Sequence, residues 1–594
     1  MWFKATEDGR RGLLEYAERA DEATEITERM EANDVDHDPD VVRRQWRSRL
    51  LYKIRDEVPQ GWLELHGPLE PIEDDRNPEP IGRLVGSTSP FSEEELAGLE
   101  PAQLIARLRD WSPPEKRPFD GPDSEGLGRA GAAVVLSRLK EFSGLGSGFA
   151  HLPPVLVAQL TSAIERRVRD EEGDDRVAAV ELMLELAEAF LPHHDGDHDA
   201  DMWAREIKRD IAGGLGHAAN QEQLGEAESW RALKLLGLLL ADPNPTSESD
   251  ERDAANGYDA GMLALNSVRG AATTAMIELL LESHRTGRTA LLEAASVDLR
   301  SMVGADHSRS VRAAIGLRLP WLLARDDARQ REWLELLFGE SVPERSMIAT
   351  WQAYLLYARF FSDTATLLAA QYDLAVSTHE ARPEDDRGRP RDEDEQLGIH
   401  VAFAHLLELA PEAEGHWLDE FYGRAAGWVR GRVTRWIAEQ AANDEATPSI
   451  RGRARAFLEQ RVATADPVAD TEELKAVAWI ASASDEEQHV LDQILLPALE
   501  KTKGLTENEP GAAGLAARLS TGNPRSAARL IQLLVGGDQW HSLPHVATAE
   551  LRQALEQLMA GDDMGARRIA SDVIDTLGAQ GFLEFRELIG GDAN

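Results

Sequence analysis

The chain has no cysteine. That excludes disulfides, zinc–thiolate sites and thiol nucleophiles. Lysine is scarce: nine of the 64 basic residues are Lys, and the rest are Arg. No Gly-Lys dipeptide occurs, so the phosphate-binding loop of glycines followed by Lys and Ser or Thr is missing. There is no Gly-x-Ser-x-Gly elbow and no His-Glu-x-x-His helix. The longest apolar stretch, Leu235 to Ala241, falls far short of the ~20 residues a membrane span needs. The opening residues, MWFKATEDGRRG, carry no apolar signal core. These absences predict a soluble cytoplasmic protein with no membrane partner.

What is present in excess is acid. Asp and Glu number 106 in 594 residues, for a net charge of −42. Acid excess with little Lys is what molar salt selects. Carboxylates hold water and hydrated cations, and a Debye length of ~3 Å at 1 M quenches their repulsion. The composition predicts a halophilic source. Such a surface repels phosphate backbones, so nucleic acid is not an expected partner. The length predicts about four domains of ~150 residues, or one continuous helical array.

Helical periodicity runs nearly from end to end. Leu418, Phe421, Tyr422, Ala425, Val429, Val433 and Trp436 recur at three- and four-residue steps, which predicts one helix face. Similar patterns fill 152–169, 175–190, 223–241, 259–285, 308–325, 346–377, 397–410, 471–501 and 524–588. Strand signals are nearly absent. Ser92 and Glu95 predict a capping box, and Asp242-Pro-Asn-Pro-Thr246 predicts the end of a leucine-rich helix. Helix pairs ~35–45 residues apart toward the C-terminus predict an all-α fold, an irregular α-solenoid of HEAT- or TPR-like pairs. The expected divisions are an N-terminal segment 1–90 with acidic loops at 31–41 and 68–80, a helical array 91–377, an acidic flexible loop 378–396 and C-terminal repeats 397–594.

Candidate chemistry is thin. Asp195, Asp197, Asp199 and Asp201, with Glu206 at the twelfth position, have the spacing of a calcium-binding EF-hand loop. Ala200 stands where the sharp turn calls for glycine, so the segment is expected to be a solvated acidic loop that binds no calcium. His193, His194 and His198 beside it are read the same way. The glycine-rich stretch 144–151 has no lysine and no preceding strand, and is expected to be a helix-to-helix loop. Trp203, Trp230, Trp351, Trp417, Trp428 and Trp436 are expected in the core. No catalytic residue and no cofactor site is expected.

Several phrases carry a resemblance. They are Trp46 to Leu50 with Val58-Pro-Gln-Gly-Trp62; Val85-Gly-Ser-Thr-Ser-Pro-Phe-Ser92 leading into Glu93-Glu-Glu-Leu96; Trp111 followed by Gly121-Pro-Asp-Ser-Glu-Gly-Leu127; Asp242-Pro-Asn-Pro-Thr246; Leu265-Asn-Ser-Val-Arg-Gly270; Trp351-Gln-Ala-Tyr354; and Ala570-Ser-Asp-Val-Ile-Asp-Thr-Leu-Gly578. In this order the chain from about residue 40 resembles the long helical C-terminal region of very large prokaryotic STAND-type ATP-binding proteins. In those proteins the nucleotide-binding domain precedes this region, and this chain lacks it. The resemblance therefore implies a sensing arm and no ATP hydrolysis, with a separately encoded P-loop ATPase as its expected protein partner.

The expected function is a non-enzymatic protein-binding or sensor scaffold in defence or signalling. A remnant of a split gene, or an enzyme with an unrecognised carboxylate site, are the alternatives. Within the phrase 265–270, Asn266, Arg269 and Gly270 are candidates for structural or partner contact. Arg269 is expected inside one long apolar helix, bonded to a carboxylate or to helix-end carbonyls of a neighbouring repeat. Asn266 is expected to support the same junction, and Gly270 to allow close helix approach.

Overall fold

The computed structural model describes residues 43–44, 46–48, 51, 58–66, 69, 88–113, 122–170, 174–193, 202–325, 329–381, 393–409, 417–537 and 547–589. They fall into two compact units, 1–90 with 112–127, and 91–111 with 128–594. In the first, Trp46, Val58 and Trp62 are buried, and Thr88 forms an isolated bridge with Pro122. The expected loops at 31–41 and 68–80 lie outside the described residues, save Leu69.

The second unit is an all-α helical-repeat array, with no strand among the described residues. Its helices include α1 (Pro154–Asp170), α2 (Asp174–Phe190), α3 (Met202–Asn220), α4 (Glu226–Leu240), α5 (Ala260–Asn266), α6 (Val268–Arg285), α7 (Thr289–Ala305), α8 (Arg309–Arg325), α9 (Gln330–Phe338), α10 (Glu344–Tyr357), α11 (Glu393–Leu406) and α12 (Gly427–Ala442), and more follow as far as Ala579. One row runs α1–α3–α6–α8–α10–α11–α12, each helix packed on the next. A second row, α2–α4–α7–α9, covers its first part. Each helix buries its apolar stripe against both neighbours, which is how an array of repeats builds a continuous core. The short helix α5 is an extra element. It lies on α8 and α10 through alanines, with Ala260 and Ala264 against Ala313, Ala314, Ala349 and Ala353.

Arginine does much of the joining. The last carbonyls of a helix have no partner within it. Here they are taken by side chains arriving from other helices. Arg138 donates to the carbonyls of Ala97 and Leu99, both at 2.9 Å. Arg285 reaches Asn220 at 3.0 Å and Arg453 reaches Leu406 at 2.6 Å, while Arg288 takes the carbonyl of Leu224 in the loop before α4 at 2.8 Å. Arg455 binds Ala441, Lys501 binds Ala465 and Arg518 binds Ala481. Arg312 is fully buried and donates to Val303, Leu336 and the backbone oxygen of Asp306 at 2.7, 2.7 and 3.2 Å. Burial lowers its pKa to about 10, and the two helix C-termini keep a cation acceptable there. A planar fork of five donors ties carbonyls that lie well apart, a wider reach than the three donors of an ammonium.

Several boundaries depart from the sequence reading. The run 259–285 is two helices, because Ser267 is extended (φ −113°, ψ 152°) and caps α6 through its hydroxyl. The face expected over 418–436 is split between Trp417–Arg424 and α12, yet Leu418, Phe421, Tyr422, Ala425, Val429 and Val433 are all buried. The run 346–377 breaks into Glu344–Tyr357, Ser362–Leu367 and Ala369–Ser377. The expected loop 378–396 loses its end to α11, whose first turn is Glu393, Asp394 and Glu395, acids that suit a helix N-terminus; its middle, 382–392, lies outside the described residues. The capping box at Ser92 and Glu95 is present in both directions. Of the six tryptophans expected in the core, Trp417 is buried, Trp203, Trp351, Trp428 and Trp436 are half-buried, and Trp230 is 41% exposed. Trp230 shares the outward stripe of α4 with Lys234 and Leu238, so helical spacing alone misplaced it.

Candidate functional site

Two polar constellations stand out in the array, and they adjoin at residues 265–270. The first is a corner. The loop after α4 ends that helix at Leu240 and runs through Asp242 to Thr246, which caps the helix Ser247–Ala255. Arg269, in the first turn of α6, donates three bonds into this region. Its Nε reaches Asp306 at 2.7 Å, and its two terminal nitrogens reach the carbonyls of Asp242 and Pro245 at 2.7 and 2.8 Å. The Asp242 carboxylate also accepts from Lys208 Nζ at 2.6 Å and from the Asn244 N–H at 2.9 Å. Both Lys208 and Asp242 are buried, so each charge depends on the other. The backbone N–H groups of Val268 and Arg269 donate to the side-chain and backbone oxygens of Asn244. The corner thus ties α3, α6 and the loops that follow α4 and α7. Every polar group in it has an internal partner, which makes it a joint.

The other two residues of the phrase behave differently from expectation. Asn266 ends α5 and is exposed. It donates back to Met262 O at 2.9 Å and accepts from Arg209 at 3.3 Å, and takes no part in the Arg269 joint. The helix break at Ser267 turns it away. Gly270 is needed for a local reason: a Cβ there would come within 2.2 Å of Ala264 O, so α5 and α6 could not turn so sharply.

The second constellation is a groove of about 380 Å³ in the α1–α3–α6–α8 row. Its floor is the seam between α3 and α6, where the helices touch through small residues. A Cβ on Gly216 would meet Ala275 Cα at 3.1 Å. Ala212, Gly213, Ala271 and Thr274 continue the seam, and no large side chain fills it. Charged groups form the walls. Glu165 of α1 is 3.0 Å from His217 and 3.2 Å from Arg169. Glu278 of α6 is paired with Arg318 of α8 at 2.9 Å. Leu265 and Asn266 stand at one end.

Asp210 of α3 is the exception among these carboxylates. The Thr161 hydroxyl, at 3.3 Å, is its one hydrogen-bond donor among the described residues, while neighbouring Arg209 turns to Asn266. Burial pushes the Asp210 carboxyl up to about 7, and the charge of Glu206, one helical turn away, adds to the shift. Of these groove residues the sequence reading singles out only Leu265 and Asn266, within the phrase 265–270, and Glu206, one helical turn from Asp210, for another role. The groove residues lie between positions 165 and 318, and no motif spacing joins them.

The weak calcium-ligand candidates Asp195, Asp197 and Asp199, with Asp201, lie outside the described residues. Glu206 is on α3, half-buried. Among the described residues no group of acidic or histidine side chains has the arrangement of a metal site. The glycine-rich stretch 144–151 contains one helical turn, Gly146–Phe149. Its N–H groups are already used: Gly144 and Gly146 donate to the two carboxylate oxygens of Glu185 at 2.7 and 2.9 Å. An anion cradle filled by the chain's own carboxylate leaves no place for a phosphate. Calorimetry with ATP in molar KCl is therefore expected to show no saturable binding. Micromolar binding abolished by mutating one defined pocket would overturn that expectation.

No helix among the described residues is long and apolar enough to cross a membrane. No protein-family model matches the chain, and no curated protein sequence matches it.

Proposed function

We propose that this chain is a non-enzymatic helical-repeat scaffold that docks a protein partner in the groove of the α1–α3–α6–α8 row, in a high-salt cytoplasm. The partner is a separately encoded P-loop ATPase, and the array is its sensing arm. The observation that supports this reading is the groove itself, lined by α1, α3, α5, α6 and α8 together. Repeat arrays bind through surfaces shared by several repeats in this way. The STAND-like phrases and the missing Gly-Lys loop point the same way.

Site-specific photo-crosslinking in cell extract at molar KCl tests it. A crosslinker in place of Thr274, in the groove, is expected to trap a P-loop protein. The same group in place of Val177, 61% exposed on α2, is expected to trap none. No adduct from position 274, or equal capture from both positions, would remove the reading. A second reading, an enzyme with a carboxylate site, is favoured only by Asp210, whose pKa of about 7 suits proton transfer at neutral pH.

A further inference from the structure

The groove holds charges of both signs, but they are unevenly satisfied. Glu165 has His217 and Arg169, and Glu278 has Arg318. Asp210 has a neutral hydroxyl at 3.3 Å and, among the described residues, no cation within hydrogen-bond reach. The joint around Arg269 does not use it. Beside it is open volume, made by the small residues of the α3–α6 seam. At the rim is Leu265, an apolar side chain left 58% exposed.

We infer that this groove seats a basic side chain of the docked segment, with its guanidinium or ammonium bonded to Asp210 and its aliphatic stem laid along Leu265. The inference rests on the reading of the groove as a docking surface and names the chemistry of what docks. Three features fit a long basic side chain better than other occupants. The free volume of about 380 Å³ suits one such side chain with part of its backbone. The described residues provide no metal-ligand set, so a directional N–H donor suits the carboxylate better than a bare cation. Lys and Arg also bury their stems on apolar surface while the charged head finds a carboxylate.

The unliganded protein carries a cost for keeping this group. An acid whose pKa is higher folded than unfolded favours the folded chain while protonated, and that contribution is lost as pH rises through about 7. The charged and titratable groups facing Asp210 are Glu165 on α1, Glu206, Arg209 and His217 on its own helix, Glu278 on α6 and Arg318 on α8. Neutralising Asp210 is therefore expected to stabilise the free protein at pH 8 while removing its ligand.

The test uses the full chain in molar KCl at pH 8. The probe is the blocked tripeptide acetyl-Ala-Arg-Ala-amide, with the neutral citrulline peptide as control, followed by ligand-observed NMR. The arginine peptide is expected to bind saturably and the citrulline peptide not. Asp210→Asn is expected to weaken binding at least ~10-fold and to raise the thermal midpoint. Glu439→Gln, which removes an exposed acid paired with Arg435 on α12, is expected to change neither. Equal binding of the two peptides, undiminished binding to Asp210→Asn, or a lowered midpoint in that variant would each overturn the inference. If crosslinking from position 274 succeeds while the tripeptide fails, the docking reading stands and the basic side chain does not. If crosslinking also fails, both fall.

Discussion

Replacing Arg269 by alanine is expected to destabilise the array by ~3 kcal/mol, the scale for orphaning one half of a largely buried ion pair. The side chain is 15% exposed, and so is its partner Asp306. Its loss leaves Asp306 without its guanidinium and strips a donor from each of the carbonyls of Asp242 and Pro245. The cost falls at a seam between successive repeats. Repeat arrays are stabilised by nearest-neighbour interfaces, so weakening one of them uncouples the parts on either side. Unfolding in molar KCl is expected to shift to lower temperature and to broaden, with amide exchange accelerating first in 242–246 and at the start of α6. Arg269→Lys keeps the charge but loses the fork, and is expected to recover less than half of the loss. An unchanged midpoint for Arg269→Ala would sink the structural role and make the phrase 265–270 the first place to seek a ligand.

The second large effect concerns salt. With 106 acidic residues against 64 basic ones, many carboxylates face other carboxylates across the surface. In dilute buffer that repulsion acts over the whole array, because the Debye length exceeds ~10 Å below 0.1 M. Thermal unfolding followed from dilute buffer to molar KCl is expected to show a large rise in midpoint, steepest at the low-salt end. The buried pairs respond little, since Lys208 and Asp242 lie beyond the reach of ions. A flat profile would refute the halophilic reading. So would an equal rise in an uncharged osmolyte, which strengthens burial without screening charge.

Fold class was legible in the sequence because it rests on local periodicity, and periodicity survives small errors of boundary. Leu418, Phe421, Tyr422, Val429 and Val433 are buried as their spacing predicts, although the helix that carries them is interrupted after Arg424. The interruptions themselves were not legible. Ser267 stops one helix and starts another because Asn244, more than twenty residues earlier, takes the N–H groups of Val268 and Arg269. A contact across that distance leaves no local signature. The groove was hidden for the same reason. Asp210 sits in the charged triplet Lys208-Arg209-Asp210, which reads as an ordinary helix surface. Only packing shows that Lys208 turns inward to Asp242, that Arg209 turns to Asn266, and that Asp210 is left in the groove. The scarcity of lysine also acquires a second cause. Where a side chain must tie carbonyls from different helices in one plane, as Arg312 does, the guanidinium fork suits better than an ammonium, whatever the salt.

Most of the carbonyl ties between helices point back along the chain. Arg138 reaches back to Ala97 and Leu99, Arg269 to Asp242 and Pro245, Arg285 and Arg288 to Asn220 and Leu224, Arg453 and Arg455 to Leu406 and Ala441, Lys501 to Ala465, and Arg518 to Ala481. In each of these the donor is made after the acceptor, whereas Arg312 and Arg430 reach forward to Leu336 and Ala469. The first set of carbonyls gain their side-chain donors only once the following repeat has been made, while those of Leu336 and Ala469 meet donors already in place.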